Sequence, residues 1–97
     1  MNNLPNIVNI SGAVRYPGDY PLKSNNEKVS DIILRAGNIL ESAYLKSSSL
    51  IRDNNQIRLS FERILSNPKS KDNLILSDGD RIIISEKTDY IQIIGEV

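Results

Sequence analysis

The chain contains no histidine and no cysteine, and the residues whose types and spacing stand out as candidates for chemistry are arginines, tyrosines and carboxylates. Those absences remove the commonest general base and metal ligand, together with disulfides and thiolate metal sites. One candidate group, Arg15, Tyr16 and Tyr20, surrounds Pro17-Gly18. A tyrosine ring can stack on a sugar while a guanidinium donates to hydroxyls or carboxylates. The plainer reading has Tyr20 packed in a sheet and Arg15 ending a strand in solvent. A second pair, Arg52 and Arg58, flanks the polar run Asp53-Asn54-Asn55. It could meet an acidic glycan or a neighbouring subunit, although exposed arginines are more often solvated surface. Asp78-Gly79-Asp80 offers oxygen ligands for a hard cation but lacks the further spaced carboxylates of a Ca²⁺ loop. It reads instead as a turn whose carboxylates accept from nearby backbone N–H groups, with Asp80 placed to pair with Arg81 or Arg15. No glycine-rich phosphate loop is present. The set assembles no reaction, so a non-catalytic domain without cofactor or metal is expected.

The candidates need elements to hold them. Val8, Ile10, Gly12 and Val14 alternate with Asn9, Ser11, Ala13 and Arg15, the period of a half-buried strand. Pro17-Gly18 suits the centre of a type II turn, after which Tyr20 and Leu22 resume the alternation. Val29, Ile32, Ile33 and Ala36 form the stripe of an amphipathic helix near residues 27 to 36. Asn26, or alternatively Ser30, is the expected N-cap, and Gly37 the left-handed residue past its end. Asn38 to Ser47 is a connection with a helical turn near 41–44. Ser49–Arg52 and Gln56–Leu59 read as paired strands. Ser60 caps a short helix carrying Phe61, Ile64 and Leu65, and Asn67-Pro68 ends it. Residues 68–73 read as an exposed, mobile loop. Arg81 to Ser85 has the consecutive β-branched residues of a strand covered on both faces. A last strand is expected from Tyr90.

Ninety-seven residues suffice for one domain with one modest core. Twelve basic and twelve acidic residues give zero net charge, which offers no electrostatic case for nucleic acid or an anionic membrane surface. No apolar run approaches the length of a membrane span, and the first residues do not form a signal peptide. The segment Tyr90–Val97 repeats the pattern of Ile7–Val14: laying Gly95 on Gly12 gives an offset of 83 residues (95 less 12). Two apolar strands with a glycine often look alike over eight residues; the other reading, and the expectation, is a single domain, residues 1–97, cut from a longer chain that carries such units in tandem.

The order hairpin, helix, strands, short helix, strand, strand describes an α+β fold, a small mixed sheet packed on one main helix. Gly12-Ala13-Val14-Arg15-Tyr16-Pro17-Gly18-Asp19-Tyr20, Val29–Gly37, Asp72-Asn73 and Leu76–Ile82 together resemble the SLBB family, the soluble-ligand-binding β-grasp domains. The likeness covers nearly the whole chain. One departure is Asn38, where these domains often carry a second glycine; asparagine is the next best residue for positive φ. Within the family, the Arg-x-Pro-Gly hairpin and the Gly-Asp-Arg-Ile strand are most similar to domains of bacterial polysaccharide export proteins. That resemblance implies a periplasmic or outer-membrane setting and a place in an oligomeric conduit for capsule or exopolysaccharide. The implied partners are adjacent domains and protomers, with saccharide contact open, and without membrane insertion by this segment. Related domains in cobalamin-binding proteins and a respiratory dehydrogenase subunit remain the alternative.

Overall fold

Apolar alternation in the strands and a 3.6-residue stripe in one helix close around a common core. The computed structural model describes residues 6–87. In chain order these residues form β1 (Ile7–Gly12), β2 (Gly18–Pro21), α1 (Val29–Arg35), a 3₁₀ turn (Leu45–Ser47), β3 (Ser49–Arg52), β4 (Asn55–Ile57), α2 (Phe61–Ser66) and β5 (Arg81–Ile84). The five strands make one sheet in the order β2-β1-β5-β3-β4. Only β1 and β5 run parallel; the other three pairings are antiparallel. This is the expected α+β architecture, a β-grasp with one main helix and a second short one. The expected last strand and its likeness to the first lie outside the described residues.

Register explains the core. Ile10, Ile82, Leu50 and Ile57 lie side by side across β1, β5, β3 and β4, so one face of the sheet carries a continuous apolar row. Val29, Ile32 and Ile33 of α1, with its C-cap Ala36, join that cluster and are fully buried. Phe61 and Ile64 of α2 complete it, with Leu65 half-buried beside them. A seven-residue helix has little stability of its own, so this burial is what holds α1.

The helix ends differ from expectation at one side and match at the other. Lys28 is the N-cap, and its backbone N–H donates to Asp31 Oδ2 at 2.9 Å. Ser30 and Asn26 do not cap α1. At the other end Gly37 and Asn38 both take positive φ, 84° and 76°. The asparagine therefore does the backbone work of a second glycine. In the following connection the helical turn sits at Leu45–Ser47, not at 41–44.

The first hairpin is wider than a Pro-Gly turn. Ile10 pairs with Gly18, while β1 runs on to Gly12, which lies beside Ile84. Gly12 then turns the chain at φ 93°, and both Ala13 and Val14 enter the core, which ends the strict alternation. The hairpin β3–β4 is tighter than expected, since Asp53 and Asn54 alone form its turn, both at positive φ. Strand β4 consequently starts at Asn55, and Arg58 and Leu59 follow it. Strand β5 buries Ile82 and Ile84 but leaves Ile83 half-buried, so its second face is not fully covered. Nor are residues 68–73 a free loop. Asn73 is buried, accepts from Ser30 N–H at 3.0 Å, and donates to Ser30 Oγ and the Pro68 carbonyl, each at 2.9 Å.

A Cβ on Gly12 would stand 1.9 Å from the Ile84 carbonyl oxygen, whereas one on Gly79 meets nothing within 4 Å. Gly12→Ala should therefore cost about 3 kcal/mol or more, through strain and a backbone clash. Gly79→Ala carries only the positive-φ penalty of about 1–2 kcal/mol. Urea unfolding of the two variants measures the difference, and equal losses would contradict the close approach.

Candidate functional site

The segment that bears Arg15 and Tyr16 is fixed by backbone bonds to the stop of α1. Tyr16 N–H donates to the Ala36 carbonyl at 2.8 Å, Arg15 N–H to Asn38 at 3.1 Å, and Leu40 N–H back to Ala13 at 2.9 Å. The two positive-φ residues turn the chain so that 38–40 can run antiparallel to 13–15, with Val14 bridged to Ile39. Gly37 lies directly under the Arg15 and Tyr16 side chains, where a Cβ would come within 2.9 Å of the Tyr16 ring.

On this platform the structure brings Arg15, Tyr16 and Tyr20 together. Arg15 Nε donates to Tyr16 Oη at 3.0 Å, and its guanidinium stands 5.5 Å from the Tyr16 ring centre. Tyr20 Oη donates to the Tyr16 carbonyl. The Tyr20 ring is half-buried against the core, while Tyr16 is 56% exposed. Tyr20 thus acts as a strut and Tyr16 is the presented surface. Sequence reasoning missed Arg35, whose guanidinium lies 5.6 Å from the Tyr20 ring centre. Its Nη1 donates to the Glu27 carboxylate at 2.9 and 3.1 Å and to the Pro21 carbonyl at 2.9 Å, which ties β2 to α1. Its place in the last turn of α1 was the only available signal.

Arg52 and Arg58 are not a pair. Arg52 Nε and Nη2 bind the Asp80 carboxylate at 3.0 and 2.7 Å, and Nη2 also reaches the Ile75 carbonyl at 3.0 Å. Asp80 is therefore partnered by Arg52, and not by Arg81 or Arg15 as the sequence suggested. Its side chain is 1% exposed and accepts a further bond from Ser77 N–H at 2.8 Å. The neighbouring Asp78 accepts from Ile7 N–H at 2.8 Å, so both carboxylates serve backbone donors as expected. The hydrogen bonds to Asp80 raise the Arg52 pKa above its ordinary value. A raised folded-state value means that the arginine's contribution is complete below the ordinary guanidinium pKa and is lost only in strong alkali. Arg58 instead lies past the end of β4, exposed, on a cavity of about 270 Å³ shared with Lys46, Ser47, Ser48, Gln56 and Leu59.

Among the described residues no group of three or more histidine, cysteine, aspartate or glutamate side chains could hold a metal ion. No described helix is long and apolar enough to cross a membrane. Compared with protein-family models and with curated proteins, the chain matches none.

Replacing Arg52 by methionine would leave the Asp80 carboxylate buried with a single backbone donor. Breaking one side of a buried pair costs about 3–5 kcal/mol. Chemical denaturation of Arg52→Met should show a loss of that order, and a loss below 1 kcal/mol would mean that the pair behaves as exposed surface.

Proposed function

We propose that this chain is a non-catalytic β-grasp domain of the SLBB kind, belonging to an envelope polysaccharide export protein. There it serves as a structural module of an oligomeric conduit and meets a neighbouring domain or protomer through the Arg15–Tyr16 loop. The observation that carries this reading is the presentation of Tyr16. Its ring stands half-exposed with a guanidinium alongside, on a loop pinned by backbone bonds at both Arg15 and Tyr16. Aromatic and arginine side chains held rigid in this way are the residue types that dominate protein contacts. The residues behind the resemblance also have physical roles: Gly12 makes the close approach to β5, Gly37 and Asn38 stop the helix, and Asp80 anchors the turn before β5.

Composition favours a protein neighbour over sugar as the occupant of this loop. The chain has no tryptophan, one phenylalanine and four tyrosines, and carbohydrate sites usually lean on aromatic faces.

Arg15→Ala and Tyr16→Ala should leave the stability of the domain within about 0.5–1 kcal/mol, because both side chains are exposed. In the full-length parent the same variants should weaken oligomer formation, as read by light scattering or native mass spectrometry. An assembly indistinguishable from wild type in the double variant would sink the proposal. Chemical-shift changes at Tyr16 and Tyr20 with the exported glycan, beside normal assembly, would move the loop's role to saccharide contact.

A further inference from the structure

The polar cavity beside Arg58 is lined by two cationic side chains and no carboxylate. It lies between the 3₁₀ turn and the segment that follows β4, with Lys46 from the first and Arg58 from the second. Both side chains are exposed, and neither makes an ion pair among the described residues; the pairs present are Arg35–Glu27, Arg52–Asp80 and Arg63–Asp72. No carboxylate lines the cavity. The Gln56 amide and the Ser47 hydroxyl add neutral hydrogen-bonding capacity, and Leu59 supplies an apolar wall. Ser48 contributes structure: its hydroxyl bonds the Tyr44 carbonyl at 3.0 Å and accepts from Ser85 N–H at 3.0 Å, which fixes the turn that carries Lys46.

We infer that this cavity is an oxyanion subsite that takes the carboxylate of an acidic saccharide. The identity of the ligand rests on the export reading above; the preference for an anion rests on the cavity itself. Two unneutralised cations lining one concavity focus a positive potential there, even though the whole chain has zero net charge. A planar guanidinium binds a carboxylate through two parallel N–H bonds, while the ammonium adds a point charge. The volume of about 270 Å³ admits a single sugar ring with its acid group, and Gln56 and Ser47 are of the types that bond ring hydroxyls.

The test uses the isotopically labelled chain at low ionic strength, titrated separately with glucuronic acid, inorganic phosphate and glucose. Glucuronic acid and phosphate should both shift the amides of Lys46, Ser47, Gln56 and Arg58, and glucose should not. Added salt should weaken both responses. Lys46→Ala and Arg58→Ala should each reduce glucuronic acid affinity about tenfold, the loss of one charge-assisted bond, with unchanged unfolding midpoints. Absence of any shift, equal shifts with glucose, or variants that bind like wild type would overturn the subsite. Shifts with phosphate alone would overturn its assignment to a saccharide. Failure of the export reading shows elsewhere, as an assembly indifferent to Arg15 and Tyr16, and leaves the anion shifts in place.

Discussion

Parallel contact between β1 and β5 is the constraint from which the rest of the domain follows. Parallel neighbours cannot be joined by a tight turn, so the chain must cross over between them. Here everything from β2 to α2 lies within that crossover. The pairing places Ile10 beside Ile82 and Gly12 beside Ile84, which sets both the apolar row under α1 and the point where β1 ends. A side chain at residue 12 would collide with the Ile84 carbonyl, so backbone contact at this point excludes every residue but glycine. The turn taken at Gly12 then delivers Ala13 and Val14 to the core and the following loop to the end of α1.

Two junctions use one electrostatic device. At the first, Glu27 accepts Lys23 N–H and the Arg35 guanidinium, and Arg35 also donates to the Pro21 carbonyl. At the second, Asp80 accepts Ser77 N–H and the Arg52 guanidinium, and Arg52 also donates to the Ile75 carbonyl. In each case a nearly buried carboxylate and an arginine together satisfy backbone groups that no strand or helix partner reaches. Charges are therefore tolerated inside because they complete the hydrogen bonding of irregular segments. Lys46 and Arg58 have no ion pair of this kind among the described residues.

Periodic features could be read directly from the amino acids. The α1 stripe, the Ser60 cap and the positive φ at Gly37 follow from local pattern, the mixed sheet on one helix from the order of the elements, and positive φ at Asn38 only from the family resemblance. What could not be read depended on distant partners. Arg52 and Arg58 look equivalent because they flank the same polar run, yet Asp80 claims one and leaves the other on a cavity. Pro17-Gly18 suggests a tight turn, but the bonds from Arg15 and Tyr16 to Asn38 and Ala36 pull the loop open. Residues 68–73 have the composition of a free loop, and only the side chain of Asn73 reaching Ser30 reveals otherwise. Arg35 hid in a helix end, where a basic residue already has a sufficient explanation in the dipole.

Among the described residues, the borders of the sheet bear on how copies of this domain could meet. One border is β2, four residues long with a proline among them; the other is β4, only three residues long. Proline has no N–H to offer an incoming strand, and three residues are too few to template one. Copies of this domain can thus be packed side by side at high local density without zipping into a continuous intermolecular β-ribbon. Any contact between copies is then left to side chains and not to backbone pairing.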